Sequence, residues 1–204
     1  MRFDDTEMQR RVMARAKGCP LEEVVDALRD AAIEWCSETY CLTNGTQIIS
    51  EPESTDPVTL EMDDFVVLDI IGAQIDGKSV PVVPADDERV ADADAENPVI
   101  VYAGDVSGAI VVPTPEAPLA VDLLIAVTLG PAAEEVPDVV WQRHYRALTD
   151  GAIAVVREQP DRPWSNLDDA ALHRAKFVDA ITAAAAFYGK NRITQAQRLR
   201  VKPA

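Results

Sequence analysis

The order of two kinds of sequence pattern constrains this fold most. From Val136 to Tyr188, apolar residues recur at the three- and four-residue spacing of amphipathic helices, and a loop with Pro160, Pro163 and Trp164 divides the stretch into two helices. The segment from Gln47 to Leu129 is instead rich in β-branched and turn residues, which predicts short strands. A block of strands is therefore expected ahead of a pair of helices.

Two more helices are predicted before the strands. The first runs from about Asp4 to Lys17 and ends at Gly18, and the second begins at Pro20 and ends near Thr39. One apolar face of the second helix contains Leu21, Val25, Leu28, Ala32 and Trp35. A turn is predicted next, at Thr43-Asn44-Gly45.

The β block contains one clear hairpin signal. A strand from Phe65 should turn back at Asp76-Gly77, and Pro81 should confine the returning strand to a sheet edge. The long apolar run Leu119–Leu129 is expected at the centre of its sheet. Further strands are predicted at 99–102 and 109–112, and the acidic stretch 84–98 should be a loop, with at most a short helical turn.

The C-terminal helices have their own end signals. Asp138 is the expected N-cap of the first, Ser165–Asp168 resembles a capping box for the second, and Gly189 should end it. Gly151 inside the first helix predicts close approach of a neighbouring helix. The expected structural core comprises Leu28, Trp35, Trp141, Tyr145, Leu148, Trp164 and Phe177; for Trp164, an anchor at an interface is the alternative.

These signals together predict an α+β fold. Residues 1–42 and 133–189 should form a helical bundle from both chain ends, with an antiparallel, sandwich- or barrel-like β module inserted at 43–132. Residues 190–204 are expected to be a basic, extended tail. A chain of 204 residues is long enough to bury a core of this kind.

Charge is unevenly distributed along the chain. The formal net charge is −16, and residues 51–105 hold fifteen acidic side chains against only Lys78 and Arg89. Residues 190–204 have five basic side chains and none that is acidic. The overall balance is unlike that of a free-standing nucleic-acid binder, and the basic segment is either a docking tail for an acidic partner or a frayed terminus.

Chemical motifs of enzymes are missing from the sequence. We find neither nucleophile elbow, phosphate-binding loop, zinc-protease motif nor dinucleotide fingerprint, so no catalytic residues are assigned. His144 and His173 are read as partly buried helix residues. The three cysteines do not indicate a disulfide framework or a zinc site, and the acidic doublets are read as solvated, so no metal or cofactor is predicted.

Targeting signals are also missing. No apolar run is long enough to span a membrane, and the charged N-terminus is unlike a signal peptide. We therefore expect synthesis in a cytoplasm, with the protein remaining there or being packed into a particle.

Five short motifs occur in an order that resembles a known family. They are the AAIEWC helix segment at 31–36, the Ile75-Asp76-Gly77 hairpin, IVVPTP at 110–115, YRALTDGA at 145–152 and the PWSN corner at 163–166. This order over Leu21–Tyr188 resembles the head–tail adaptors of tailed bacteriophages, the tail-tubular-protein-A-like connectors. The acidic loop between Asp86 and Glu96 departs from that pattern.

The resemblance implies a structural role in a virion neck. Such a protein forms a ring, typically twelvefold, beneath the portal protein, and joins it to a nozzle, stopper or tail-tube protein around a DNA channel without sequence-specific DNA binding. The ring would assemble in the host cytoplasm. Alternatives are a head-completion, stopper or prophage-particle neck protein and, in another class, a small cytoplasmic enzyme or ligand-binding module.

Within that role, two groups of candidate site residues follow. Residues expected to bind the portal are Lys190, Arg192, Arg198, Leu199, Arg200, Val201 and Lys202. Carboxylates expected to line the channel, where they would repel DNA and let it slide, are Asp63, Asp64, Asp86, Asp87, Glu88, Asp92 and Asp94. The alternative for this second group is a solvated outer face.

Overall fold

The protein is a mixed α/β chain with four α-helices and two four-stranded sheets across the residues described. The computed structural model describes residues 1–60, 62–102 and 106–198, with side chains as far as residue 189. The helices are α1 (Thr6–Arg15), α2 (Leu21–Thr39), α3 (Asp138–Glu158) and α4 (Leu167–Arg198). The element order along the chain is therefore two helices, eight strands and two helices.

Helix starts differ in how they are capped. At α1, the Asp5 side chain accepts a hydrogen bond from the Glu7 backbone N–H at 2.9 Å. At α4, the Asn166 side chain accepts a hydrogen bond from the Asp169 N–H at 3.0 Å. The capping residue is therefore Asn166, one position after the Ser165 that the sequence predicted. The N-cap of α3 is Pro137 rather than Asp138, and no side chain caps it.

The predicted end of α4 at Gly189 is wrong. The helix continues to Arg198, so residues 190–198 are helical and not the extended tail expected from the sequence. A single glycine costs a helix only about 1 kcal/mol relative to alanine. Most residues that follow it, among them lysine, arginine, glutamine and alanine, are good helix formers, and the helix passes through.

Eight strands form two open sheets. They are β1 (Leu42–Ser50), β2 (Val58–Thr59), β3 (Phe65–Ile75), β4 (Lys78–Val80), β5 (Val82–Pro84), β6 (Val99–Tyr102), β7 (Gly108–Val112) and β8 (Leu119–Leu129). The first sheet has the order β1-β8-β3-β4, and the second has the order β2-β7-β6-β5. The central position of β8 is confirmed, and neither sheet closes into a barrel among the described residues.

The hairpin predicted at Asp76-Gly77 is confirmed. Ile75 pairs with Lys78 across a two-residue connection, and β3 and β4 are antiparallel. Asp76 and Gly77 both have positive φ, at 50° and 73°. A two-residue turn of this kind suits the right-handed twist of the strands that it joins.

Pro81 marks the point at which the chain changes sheets. β4 before it pairs with β3 in the first sheet, whereas β5 after it pairs with β6 in the second. Both are edge strands, as the proline predicts. The β5–β6 pair is parallel, so the expectation of a purely antiparallel module is wrong at this edge.

The turn predicted at Thr43-Asn44-Gly45 is also wrong. These residues lie within β1 and pair with Ala126, Ile125 and Leu124 of β8, respectively. Turn propensity is a local preference, and pairing with a long apolar strand outweighs it here.

The chain divides into two compact units by its internal contacts. One contains Met1–Cys41 and Leu129–Tyr188, and the other contains Leu42–Thr128. In the helical unit, Arg174 of α4 donates hydrogen bonds of 2.7 and 2.6 Å to the Glu34 carboxylate of α2. The core of the β unit includes Ile48, Ile70, Ile100, Val121, Leu123 and Ile125.

Most of the side chains expected in the helical core are buried. Leu28, Trp35, Leu148 and Phe177 are at most 1% exposed, and Trp141 and Trp164 are also buried. Tyr145 is only half-buried, and Leu21 at the start of α2 is exposed. Tyr145 departs from the expected core because its ring lies beside arginine side chains on the surface.

Candidate functional site

An open groove in the helical unit lies between α3 and α4. It has a volume of about 980 Å³. Trp35 of α2 forms part of its wall, and alanines of both helices form much of the rest: Ala147, Ala180, Ala183 and Ala184. The small side chains leave room between the helices, so the groove can hold several side chains of a binding partner.

Arginines surround an aromatic ring at one side of this groove. The Arg11 guanidinium lies over the Tyr145 ring at 4.5 Å, and that of Arg146 lies 5.7 Å from the same ring. Arg146 Nε also donates to the Tyr145 hydroxyl at 3.1 Å, and Arg143 lines the groove nearby. The hydrogen bond from Arg146 lowers the pKa of Tyr145 below its usual value. We call Arg11, Arg143, Tyr145 and Arg146 the basic rim.

Three further ring side chains, His144, Phe187 and Tyr188, also line the groove. His144 Nε2 lies 2.8 Å from the Tyr188 hydroxyl, and the His144 ring is 4.6 Å from that of Trp35. Phe187 beside Tyr188 is 58% exposed, which is unusual for a phenylalanine. Burial, aided by the charge of Arg143, lowers the pKa of His144, and burial raises the pKa of Tyr188. Neutral pH therefore leaves both groups uncharged.

A network of partly buried charged side chains around the buried His173 joins α3 to α4. His173 Nδ1 lies 2.6 Å from Asp150 Oδ1, and its Nε2 lies 3.7 Å from Asp169 Oδ1. Arg157 Nε donates to Asp169 at 3.0 Å, and its Nη1 donates to the Trp164 carbonyl oxygen at 2.9 Å. His173 is only 4% exposed and lies between the Asp150 and Asp169 carboxylates, so the network ties α3 to α4. Asp150 also lines the α3–α4 groove.

Trp164 belongs to the packing around this network. It is 7% exposed, and its Nε1–H donates to Gln159 Oε1 at 3.0 Å. The Arg162 guanidinium lies 5.7 Å from its ring. These contacts favour the reading of Trp164 as a core side chain that holds the α3–α4 loop.

Two cysteines meet at the C-terminal end of α2. The Sγ atoms of Cys36 and Cys41 are 3.9 Å apart. A hydrogen bond between them lowers the pKa of Cys41 to about 7 and raises that of Cys36. Cys36 is buried, whereas Cys41 is partly exposed, so Cys41 is the thiol with the greater nucleophilic character.

The acidic candidates for a channel lining occupy two places in the β unit. Asp63 and Asp64 are exposed in the turn before β3. The other five lie between β5 and β6, on the acidic loop, our name for residues 84–98, which includes a 3₁₀ turn at Glu88–Val90. The helical turn that the sequence allowed is therefore present. The five candidates from Asp86 to Asp94 therefore share one loop, whereas Asp63 and Asp64 lie in a different turn.

Two of the loop carboxylates have structural partners. Asp87 accepts from Arg89 Nε and Nη2 at 2.8 Å each, and the hydrogen bonds from Arg89 lower the pKa of Asp87 to about 2. Asp94 accepts from the backbone N–H groups of Asn97 and Glu96 at 2.8 and 2.9 Å, which lowers its pKa. Their charges help to shape the loop.

A cleft of about 520 Å³ lies between the β3–β4 hairpin and the acidic loop. Lys78 and Arg89, the two basic residues of 51–105, both line it, as do Asp92 and Glu96. The cleft therefore has charges of both signs. Among the residues described, no group of three or more histidine, cysteine or acidic side chains is arranged to hold a metal ion.

The candidates for portal binding fall mostly beyond the described side chains. Lys190, Arg192 and Arg198 lie on the last part of α4, for which only the backbone is described. Leu199, Arg200, Val201 and Lys202 lie outside the described residues.

Sequence reasoning missed the basic rim. The only local signal for it is that Arg143 and Arg146 are three residues apart, which places these two side chains on one side of α3. The approach of Arg11 from α1 depends on tertiary packing and has no such signal.

Comparison with known proteins supplies no family for the chain. No protein-family model matches it, and a search of curated proteins found no match. Among the helices described, none combines the length and the apolar character that a membrane span requires.

Proposed function

We propose that this chain is a structural head-to-tail adaptor of a tailed-bacteriophage virion, without catalytic activity. One observation carries the proposal: the order of the five family-like motifs over Leu21–Tyr188. In the proposed adaptor, both chain ends contribute helices to one bundle, and the β module is an insertion between them. The grouping of Met1–Cys41 with Leu129–Tyr188 is what such a bundle requires.

The character of the described sites supports an adaptor over an enzyme. Histidine is the residue most often used for proton transfer in catalysis, but His173 is buried in a structural network and His144 is hydrogen-bonded to Tyr188. The α3–α4 groove is open and lined mainly by aromatic, arginine and alanine side chains, with Asp150 as an acidic member. Aromatic residues and arginine are enriched at protein interfaces.

In this proposal the chain forms a ring, typically twelvefold, beneath the portal and joins it to a nozzle, stopper or tail-tube protein. The basic residues of 190–204 would bind carboxylates of the portal. Exposed carboxylates of the β unit outside the acidic loop, Asp63 and Asp64, would face the DNA channel and repel the duplex so that it slides during packaging and ejection. The proposed location is the neck of the virion.

The decisive experiment is assembly on a portal ring. The full chain would be mixed with the portal protein of the same phage, and the mass of the complexes measured by mass photometry. Twelve copies of a 22.2 kDa chain would add roughly 270 kDa to the portal. A portal that gains no mass at saturating chain concentration would contradict the adaptor function, whereas binding only to isolated tails would favour the stopper alternative.

A second experiment addresses the channel. Asp63→Lys with Asp64→Lys should leave ring assembly intact and slow DNA ejection, because a basic lining holds the phosphate backbone. The matched control is Asp30→Lys with Glu38→Lys, which makes the same change in net charge at exposed positions of α2. Unchanged ejection in the Asp63/Asp64 variant would contradict the placement of these carboxylates at the channel.

A further inference from the structure

We propose that the α3–α4 groove, with its basic rim, binds the acidic loop of a second copy of this chain. The inference deepens the adaptor proposal and rests on it in one respect, namely that copies of the chain adjoin one another in a ring.

The groove has the chemistry of a protein interface. Arg11 and Arg146 lie against the Tyr145 ring, and Arg143 lines the groove nearby, in a chain with a net charge of −16, so the rim concentrates positive charge against the overall balance. Asp150 also lines the groove, but its carboxylate is paired with His173. Phe187 adds an exposed apolar ring at the groove wall. Arginine and aromatic side chains of this kind supply most of the energy at protein interfaces, and the exposed rim arginines are available for bidentate contacts.

The acidic loop is a suitable occupant because its shape is held from within. Asp87 binds Arg89, and Asp94 caps the turn at Asn97, so these two carboxylates act inside the loop. Asp86, Asp92 and Glu96 are exposed. A loop that is already ordered loses less conformational entropy when it binds, which favours association.

Charge also argues against the chain's own terminus as the occupant. The residues beyond Arg198 include Arg200 and Lys202, whose charge has the same sign as the rim. A second copy offers the opposite sign. A contact between two different surfaces of identical chains is heterologous, and such contacts generate rings when their rotation closes.

The test uses two charge reversals and their combination in the full chain. The rim variant carries Arg143→Glu and Arg146→Glu, and the loop variant carries Asp86→Lys, Asp92→Lys and Glu96→Lys. Sedimentation velocity of each would be measured without portal, over concentrations up to about 1 mM and at about 0.05 M salt, where exposed charge pairs are little screened. We expect the unaltered chain to associate, each reversal to weaken association about tenfold or more, and the combined variant to regain it.

A matched control separates the rim from net charge. Lys17→Glu with Lys176→Glu makes the same change in net charge at exposed positions outside the groove, and should leave association unchanged. Equal weakening by this control, or no rescue in the combined variant, would overturn the proposal. So would a chain that remains at 22.2 kDa throughout.

Two further outcomes are distinguished by parallel measurements. If duplex DNA binds the unaltered chain and the rim reversal abolishes that binding while self-association is absent, the rim is a nucleic-acid surface and the second-copy proposal fails. Assembly on the portal is measured separately. If the chain loads the portal but its self-association does not depend on the rim, the adaptor function stands and the second-copy contact is wrong. If self-association depends on the rim but the chain does not bind the portal, the second-copy contact stands and the adaptor function is wrong.

Discussion

Replacing Gly151 with alanine tests whether helix packing or helix propensity dominates in the helical unit. A Cβ at this position would lie 3.0 Å from Ala31 Cβ and 3.0 Å from Cε2 and Cζ of Phe177. These distances are well below ordinary van der Waals contact, so a neighbour must move. The glycine therefore permits α3 to approach α2 and α4 closely, as the sequence predicted.

The neighbours of Gly151 have little freedom to move. Phe177 is fully buried, its ring centroid is 6.1 Å from that of Trp35, and the Arg174 guanidinium lies 5.7 Å from it on the way to Glu34. Overpacking a core of this kind costs about 1–3 kcal/mol, whereas alanine gains about 1 kcal/mol over glycine in a helix interior. The steric cost should exceed the gain, and we expect a net loss of about 1 kcal/mol.

Gly189 supplies a matched control, because it also lies inside a helix but an added Cβ there would meet nothing within 4 Å. Urea unfolding monitored by circular dichroism would compare Gly151→Ala, Gly189→Ala and the unaltered chain. Gly189→Ala should be neutral or stabilising by as much as about 1 kcal/mol. If Gly151→Ala stabilises the protein as much as Gly189→Ala does, the close packing inferred at Gly151 is wrong.

Four other predictions concern the core, two titrating side chains and the C-terminal segment. Trp141→Ala should lower the free energy of unfolding by about 3–5 kcal/mol in urea, and a loss below about 1 kcal/mol would show that Trp141 lies outside the core. The folded-state pKa of His144 is below the usual 6.5, so the unfolded chain binds more protons than the folded chain as the pH falls. The contribution of His144 to stability should therefore be present above pH 6.5 and lost as the pH falls through the folded-state pKa. His144→Gln should reduce this acid dependence of the melting temperature in thermal melts. Alkylation of Cys41 by iodoacetamide, followed by mass spectrometry, should reach half its maximal rate near pH 7 while Cys36 stays unlabelled; a midpoint near 9 would contradict the lowered pKa. Removing residues 190–204 should weaken portal binding at low salt, with a smaller loss as salt rises, and equal affinity would refute a docking role for the segment.

Local chemistry explains which parts of the fold could be read from the sequence. The Asp76-Gly77 hairpin was predictable because its turn needs two positive φ values, which asparagine, aspartate and glycine tolerate best. The edge position of the strands around Pro81 follows from the missing N–H of proline. Close approach at Gly151 follows from a glycine kept inside a strong helix pattern.

Tertiary pairing accounts for the features that the sequence did not predict. Thr43-Asn44-Gly45 has turn chemistry, but β8 offers a continuous pairing partner that local rules cannot see. The parallel pairing of β5 with β6 also depends on tertiary structure, because the acidic loop must bring the chain back to the start of β5 before β6 begins. Local propensity is therefore most reliable where a backbone angle is required, and least reliable where a partner strand decides.

The same distinction applies to the candidate site. Counting charges identified the acidic segment 51–105, but not which carboxylates are exposed and which, like Asp87, are held inside the loop. Tyr145 has the spacing of a core residue, yet Arg11 from α1 and Arg146 from its own helix retain its ring at the surface. The helical spacing of apolar residues predicts which side chains share a face of the helix. Whether Tyr145 on that face packs in the core or lies at the surface depends on the arginines that stack on its ring. The place of Arg11 in the basic rim is thus a property of how α1 and α3 meet, whereas Arg143 and Arg146 both belong to α3.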